Sequence, residues 1–131
     1  MCEGQEPLQC EGDLFCGVNS AKDPADMTDL EKKHVPVITA PDSVQKDECF
    51  DVTVEVGKHL AHPNEREHYI HFVELYADHT FLGRADFTPV KTCPVARFCV
   101  RLDHIHNQLR ALEFCNLHGM WEGGKGLQVT P

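Results

Sequence analysis

Two residues near the end of the chain, Cys115 and His118, have types and a spacing that suit metal binding. They lie in the stretch FCNLHGMWEGG, which also contains the only tryptophan of the chain. A thiolate together with an imidazole favours iron, copper or zinc over magnesium or calcium, which prefer oxygen ligands. The Cys-x-x-His pair alone has little specificity, because it also fits half of a zinc or copper site, a catalytic pair or no site at all. Further ligands must therefore come from elsewhere in the sequence.

Three further histidines stand beside features that restrict the backbone. His34 lies in KKHVPVI, and His62 and His68 enclose the loop HPNEREH, which Pro63 stiffens. A single histidine near a strand end is usually solvated or hydrogen-bonded, so only the joint arrangement points to a metal. If these segments meet at one end of the fold, four imidazoles and one thiolate come together. That is one ligand more than a structural zinc site normally has.

The elements that must position these residues are predicted to be β-strands. The segment CFDVTVEV alternates apolar and polar residues, and Gly, Pro, Asn and Asp separate it from the next apolar runs. This alternation turns Cys49 outward, and the alternation in VARFCVRL does the same for Cys99. The pattern predicts an all-β fold, a seven-stranded antiparallel immunoglobulin-like β-sandwich with an irregular N-terminal extension. The predicted strands are VPVIT, CFDVTVEV, HYIHFVELYA, TFLGRADF, VARFCVRL, QLRALEF and GLQVT.

The segment before the first strand has no strand pattern. Residues 1–30 contain cysteine, glycine and aspartate with little periodicity. Thr28 and Glu31 have the spacing of a capping box, which predicts one helical turn. Pro36 restricts the residue before it and so ends that helix soon after Lys33.

Composition and charge narrow the class of protein. The net charge is −9, which argues against a nucleic-acid partner. No apolar run reaches the ~18 residues of a membrane helix, and the acidic start MCEGQEPLQCEG does not resemble a secretory signal. We therefore expect a cytoplasmic protein with no membrane partner. Because the cytoplasm keeps thiols reduced, the seven cysteines are expected to be metal ligands or free thiols.

Three motifs together resemble the superoxide reductase family, which comprises neelaredoxins and the iron domain of desulfoferrodoxins. KHVPVI matches a Lys-His-x-Pro motif, and HPNEREH matches a His-Pro motif with a second histidine six residues after the first. FCNLHGMW matches the terminal Cys-Asn-x-His-Gly-x-Trp motif. The three motifs occur in the family's order over residues 33–121. The resemblance implies a one-iron domain over residues 31–131 behind a cysteine-containing extension over residues 1–30.

The activity that the resemblance implies is the one-electron reduction of superoxide to hydrogen peroxide at a mononuclear Fe2+/Fe3+ centre. Cys115 would be the axial thiolate, and Lys33 would be the catalytic lysine beside the open iron position. The implied equatorial ligands are His34, His62, His68 and His118. An external donor such as rubredoxin would re-reduce the iron. One-iron relatives form homo-oligomers, so a tetramer or a dimer is expected.

One departure from the family pattern lies beside the implied lysine. The family reads Glu-Lys-His, whereas here Lys32 directly precedes Lys33 and places Glu31 one residue out of register. We therefore expect Glu31 not to reach the sixth position of ferric iron, which would bind water, hydroxide or an external anion. Lys32 is interpreted as a solvated side chain that adds to the local positive field.

A second departure concerns the N-terminal cysteines, which lack the Cys-x-x-Cys and Cys-Cys pairs of two-iron relatives. They are secondary candidates for an iron–sulfur cluster, but their spacing fits no standard cluster motif. The candidates are Cys2, Cys10 and Cys16, with Cys49, Cys93 or Cys99 as a fourth ligand. Unligated thiols remain the expectation.

Two other classes of protein are alternatives. A cupredoxin-like electron carrier also combines a β-sandwich with a late Cys-x-x-His pair and a methionine several residues further on. Met120 lies only two residues past His118, and a copper site would leave two of the other histidines unused. A structural zinc-binding module without redox activity is the second alternative.

Overall fold

The computed structural model describes residues 17–131, which form β-strands and one short helix. Cys2, Cys10 and Cys16, with the cluster predicted on them, lie outside the described residues. The helix α1 covers Asp29–His34. The strands are β1 Val37–Thr39, β2 Ser43–Gln45, β3 Cys49–Glu55, β4 Ile70–Ala77, β5 Thr80–Asp86, β6 Val95–Arg101, β7 Gln108–Cys115, β8 Gly119–Gly126 and β9 Gln128–Thr130.

Seven of these strands form two antiparallel sheets with the orders β1-β3-β6 and β5-β4-β7-β8, and β2 pairs with β9 in parallel. The predicted all-β class is confirmed. The nine strands of the described part exceed the predicted seven by β2 and β8. β2 has only three residues, and the sequence of β8, GMWEGGKG, has too few apolar residues to alternate. The immunoglobulin-like arrangement stays a prediction.

The core lies under the apolar faces of β3, β4 and β7. Val52 and Val54 of β3, Val73 of β4 and Leu109 of β7 are fully buried. Burial of each such side chain contributes roughly 1.5–3 kcal/mol, so this face fixes the register of the strands. The alternate residues of β3 face outward, as the sequence predicts, and Cys49 is exposed.

The helix α1 begins with the predicted capping box. The Thr28 hydroxyl accepts a hydrogen bond from the Glu31 N–H at 3.2 Å. The Glu31 carboxylate in turn accepts from the N–H groups of Thr28 at 2.9 Å and Lys22 at 3.2 Å. The helix ends at His34, ahead of Pro36. Both ends of this single turn are therefore defined, and His34 projects from its last position.

Part of the predicted N-terminal extension contacts β8. The backbone N–H of Asn19 donates to the Met120 carbonyl at 3.1 Å, and that of Glu122 donates to the Asn19 carbonyl at 2.8 Å. The domain division between residues 30 and 31 stays a prediction. No helix within residues 17–131 is long and apolar enough to cross a membrane.

Candidate metal site

Four imidazoles lie side by side where α1, the β3–β4 loop and the β7–β8 turn meet. His34 is the last residue of α1, His62 and His68 belong to the β3–β4 loop, and His118 belongs to the β7–β8 turn. Ring centroids are 4.7 Å apart for His34 and His62, and 4.6 Å apart for His62 and His68. They are 5.2 Å apart for His68 and His118, and 4.8 Å apart for His118 and His34. The four rings thus form a closed circle.

The sulfur of Cys115, the last residue of β7, lies against this circle. Its Sγ is 3.4 Å from His62 Nε2 and 3.8 Å from His118 Nδ1. One ligand atom each from His34, His68, Cys115 and His118 lie within 4.8 Å of one another. Because metal–nitrogen and metal–sulfur bonds measure about 2.0–2.3 Å, ligand atoms at such separations can contact one ion.

Hydrogen bonds fix which nitrogen of two rings faces the site. Nδ1 of His34 donates to the Leu30 carbonyl at 2.7 Å, and Nδ1 of His62 donates to the Pro63 carbonyl at 2.6 Å. Since a carbonyl only accepts, Nδ1 carries the proton and Nε2 keeps its lone pair. Such outer hydrogen bonds orient metal-bound histidines. Both rings are therefore held ready to bind a cation through Nε2.

Two of the ring nitrogens are buried without a hydrogen-bond partner in the described part of the chain. They are Nε2 of His34 and Nε2 of His68. Buried polar atoms normally have a partner, because leaving one unpaired costs about 1–3 kcal/mol. A cation between the rings would satisfy both atoms, so the residues present fit a metal ion.

Burial keeps the histidines neutral. Desolvation is the largest cause that lowers the pKa of His34 and of His68, and it lowers the pKa of His62 to about 4. Neighbouring rings act in the same direction, because two adjacent imidazolium charges repel: His118 lowers the pKa of the other three rings, and His68 lowers those of His34 and His62. Neutral imidazole is the form that binds metal, so these three rings need to lose no proton near pH 7.

The pKa of the Cys115 thiol is shifted in the opposite direction, upwards. Burial raises its pKa, whereas hydrogen bonds from the backbone N–H groups of Leu117 and His118 act to lower it. A coordinated cation deprotonates such a thiol outright. The same N–H groups, which belong to the tight CNLHG turn, would then stabilise the thiolate. Gly119 permits that turn, because its φ of +83° lies in the left-handed region.

Trp121 and Asn116 hold the ligand segments together. The Trp121 indole stacks on His34 with ring centroids 5.0 Å apart, and its Nε1 donates to the His118 carbonyl at 3.0 Å. The tryptophan therefore packs against the site. The Asn116 amide accepts from the Tyr69 N–H at 3.1 Å and donates to the Glu67 carbonyl at 2.7 Å. Asn116 thereby joins the turn of His118 to the loop of His68.

Sequence reasoning assigned no role to Asn116 or to Asn64. Asn64 donates to the Thr92 carbonyl at 3.1 Å and accepts from the Val90 N–H at 2.8 Å. These bonds attach the β3–β4 loop to the β5–β6 loop. The motifs Cys-Asn-x-His and His-Pro-Asn contained the only signal for either residue, since Asn116 directly follows Cys115 and Asn64 lies two residues after His62.

The charged residues of α1 are placed differently from one another. Lys33 is half-buried, and its charge lies near enough to His34 and His68 to lower their pKa. Lys32, also half-buried, stands in the last turn. The Glu31 carboxylate is occupied by the backbone N–H groups at the start of the helix, and these hydrogen bonds lower its pKa. It is therefore directed towards the cap and not towards the histidines.

The remaining candidates lie away from the site. Cys49, Cys93 and Cys99 are exposed free thiols. His104 and His106 bond the carboxylates of Asp103 and Asp78 instead of the histidine circle.

Four imidazoles and the Cys115 sulfur meet at one place in this β-structured chain, and together they form a candidate metal site with nitrogen and sulfur ligands. In a comparison with known protein families, the model of the desulfoferrodoxin family matches residues 26–124 of this chain. This chain belongs to the desulfoferrodoxin family.

Individual relatives agree with the family match. A Methanocaldococcus jannaschii protein is 40% identical over 111 residues, which cover 82% of this chain and 90% of the relative. The superoxide reductase of Pyrococcus furiosus is 37% identical over 109 residues, covering 70% of this chain and 85% of its own. The solved superoxide reductase (neelaredoxin) of Ignicoccus hospitalis has a TM-score of 0.74 at 33% identity, with coverage of 86% and 95%.

Proposed function

We propose that this chain is a superoxide reductase, an enzyme that reduces superoxide to hydrogen peroxide. The observation that carries the proposal is the convergence of buried, unpartnered imidazole nitrogens on the sulfur of Cys115. Relatives named superoxide reductase, which match most of the chain, support the same activity. The residues proposed to hold the iron are His34, His62, His68, Cys115 and His118.

The donor set suits iron. Neutral imidazoles and one thiolate exclude the oxygen-preferring cations, and iron takes such mixed nitrogen and sulfur ligands. When bound, the iron supplies the single electron that reduces superoxide, and an external one-electron donor restores it. The neutral rings leave the site cationic, which favours an anionic substrate.

The chain's own charges act on that substrate before any chemistry. The net charge of −9 repels an anion at long range. Lys33 provides a positive charge beside His34 and His68. We propose that Lys33 attracts superoxide into the site and holds the water that supplies a proton to the product.

The thiolate environment sets how strongly sulfur donates electron density. The backbone N–H groups of Leu117 and His118 bond the Cys115 sulfur and withdraw charge from it. Buried Trp121 covers His34 and limits the access of water from that side. These residues favour release of an intact peroxide, because less charge on sulfur means a weaker push towards O–O cleavage.

Glu31 is not proposed as a ligand. Its two oxygen atoms accept hydrogen bonds from Thr28 and Lys22, and reaching the histidines would break both bonds. The open position of ferric iron is therefore proposed to accept water, hydroxide or an external anion. Lys32 is proposed to add only to the positive field.

The remaining parts of the proposal follow the family. We propose re-reduction by an electron donor such as rubredoxin, a tetrameric or dimeric assembly, and a cytoplasmic location. Stopped-flow mixing of the oxidised protein with reduced rubredoxin tests the donor, and sedimentation velocity tests the assembly.

Metal analysis combined with a superoxide assay tests the activity. We expect one iron per chain, a ferric thiolate absorption band, and one hydrogen peroxide formed for each superoxide consumed while a reductant is present. Copper with a blue thiolate band would favour the cupredoxin-like alternative instead. Tightly held zinc with no superoxide consumption would favour the structural module.

A further inference from the structure

Two cysteines outside the metal site are neighbours on the outer face of the β1-β3-β6 sheet. Cys49 is the first residue of β3, and Cys99 lies in the middle of β6. Cys49 stands opposite Arg101, and Cys99 stands opposite Asp51, so the two cysteines are diagonal neighbours on one face. Side chains at such diagonal positions are close enough to interact across antiparallel strands.

The two thiols are close to one another and open to solvent. Both residues are exposed, and interaction with the Cys49 thiol raises the pKa of Cys99. β6 is the edge strand of its sheet, so no further strand of that sheet covers the pair on the β6 side. A small solute can therefore reach either sulfur.

The thiolate is the reactive form of a cysteine, so the sulfur that loses its proton attacks first. The sulfur of the other cysteine is then placed to attack in a second step.

We propose that Cys49 and Cys99 form a peroxide-reactive dithiol that hydrogen peroxide converts into a disulfide. In the first step the thiolate of one of the two cysteines attacks one peroxide oxygen, the O–O bond breaks, and the departing hydroxide takes a proton to become water. That cysteine is then a sulfenic acid. In the second step the sulfur of the other cysteine attacks the sulfenic acid sulfur, the S–S bond forms, the S–O bond breaks, and a second water leaves. Two thiols and one peroxide yield one disulfide and two waters.

The oxidant is the product of the proposed superoxide reductase, and the inference rests on that function only for its source of peroxide. Cys49 begins β3, whereas the loop that carries His62 follows the other end of this strand. Seven residues of strand separate the two ends by about 20 Å. Peroxide must therefore reach the dithiol by diffusion after it has left the metal site.

Peptide mapping after treatment with hydrogen peroxide tests the dithiol. The full-length, iron-loaded protein is reduced, freed of reductant, treated with a small excess of hydrogen peroxide, alkylated and digested with trypsin without reduction. We expect a disulfide-linked pair of peptides, residues 47–58 and 98–101. Residues 92–97, which contain Cys93, should appear alkylated. Absence of the linked pair, or a bond from Cys49 to any other cysteine, would overturn the proposal.

Single variants test the sulfenic acid step. Cys93→Ser is the matched control, because it removes an exposed thiol with no assigned role and should leave the linked pair unchanged. Cys99→Ser should abolish the linked pair and leave a Cys49 sulfenic acid that dimedone captures. Cys49→Ser should likewise abolish the linked pair and leave the sulfenic acid on Cys99. Absence of dimedone capture in both variants would overturn the sulfenic acid step.

The two proposals fail separately. Crosslinking by added hydrogen peroxide does not require the metal. If no crosslink forms, the dithiol proposal is overturned and the proposed superoxide reductase activity is unaffected. Failure of the iron-loaded protein to reduce superoxide, with the crosslink still formed by added peroxide, overturns the proposed function and leaves the dithiol.

Discussion

Two groups of histidines in this protein have opposite surroundings. In the β6–β7 loop, Nδ1 of His104 lies 2.9 Å from Asp103 and Nδ1 of His106 lies 3.0 Å from Asp78, and the His104 side chain is 78% exposed. In the metal site, Nε2 of His34 is buried without a partner in the described residues. The loop pair has the closer spacing in sequence, yet its nitrogens bond carboxylates. Converging and unpartnered nitrogens, not near neighbours in sequence, indicate the metal site.

Cys115→Ser is expected to have the largest effect and tests whether metal binding is confined to the site of the four converging histidines. Loss of an outer partner of a ligand costs 10–100-fold in metal affinity, so loss of the thiolate itself should weaken iron binding by about 100-fold or more. The thiolate absorption band should vanish. Iron titration under anaerobic conditions measures the change. His104→Ala is the control and should bind iron like the parent, whereas a loss of iron in that control would contradict the distinction between the two groups.

A second test concerns Glu113, a buried polar residue of β7 whose charge helps to raise the pKa of Cys115. Burial raises its pKa to about 9 from the ordinary value of 4.5, and neither oxygen has a partner among the described residues. Because the folded pKa lies above the unfolded one, the stability that the protonated carboxyl provides is complete below about pH 4.5 and is lost as the pH rises towards about 9.

Glu113→Gln should remove that loss. The free energy of unfolding of the metal-free variant should equal that of the metal-free parent near pH 4.5 and exceed it by about 3 kcal/mol at pH 7. Urea unfolding of both proteins across this pH range measures the difference. Equal stability of the two proteins at pH 7 would show that the carboxyl is not an isolated buried group.

Lys33→Ala tests how the positive charge beside the histidines of the candidate site affects the reaction with superoxide. Removing the cation beside the imidazoles should slow the second-order reaction with superoxide about tenfold, and added salt should shrink that difference. The absorption of the bound iron should stay the same. Pulse radiolysis measures the rate, with Lys46→Ala as a control of equal charge at an exposed position outside the site. A rate equal to that of the control would contradict a steering role.

The smallest effect is expected from Thr28→Ala, which removes the cap of α1. Loss of such a cap costs about 1 kcal/mol, and the helix positions His34. Thermal unfolding should show a lower midpoint, with iron still bound at saturating concentration. Ser at the same position should restore the midpoint, because its hydroxyl can accept the same hydrogen bond.

Particular residues show what sequence reasoning can and cannot predict. The capping box of Thr28 and Glu31 was readable because it depends on local spacing alone. β8 was missed because its glycines carry no apolar pattern, although its register sets Trp121 against the site. The outward direction of Cys49 and Cys99 followed from alternation, but their proximity depends on the register between β3 and β6. The gathering of His34, His62, His68 and His118 likewise depends on tertiary structure. The predicted fold made it conceivable, and the family motifs gave the specific indication.

A pulse of superoxide on the fully reduced, iron-loaded protein tests the central claim most directly. The account predicts that the ferric thiolate absorption appears as superoxide disappears, with one hydrogen peroxide formed for each iron oxidised and no dioxygen released. Superoxide loss with release of dioxygen, or with no change in the iron absorption, would contradict it.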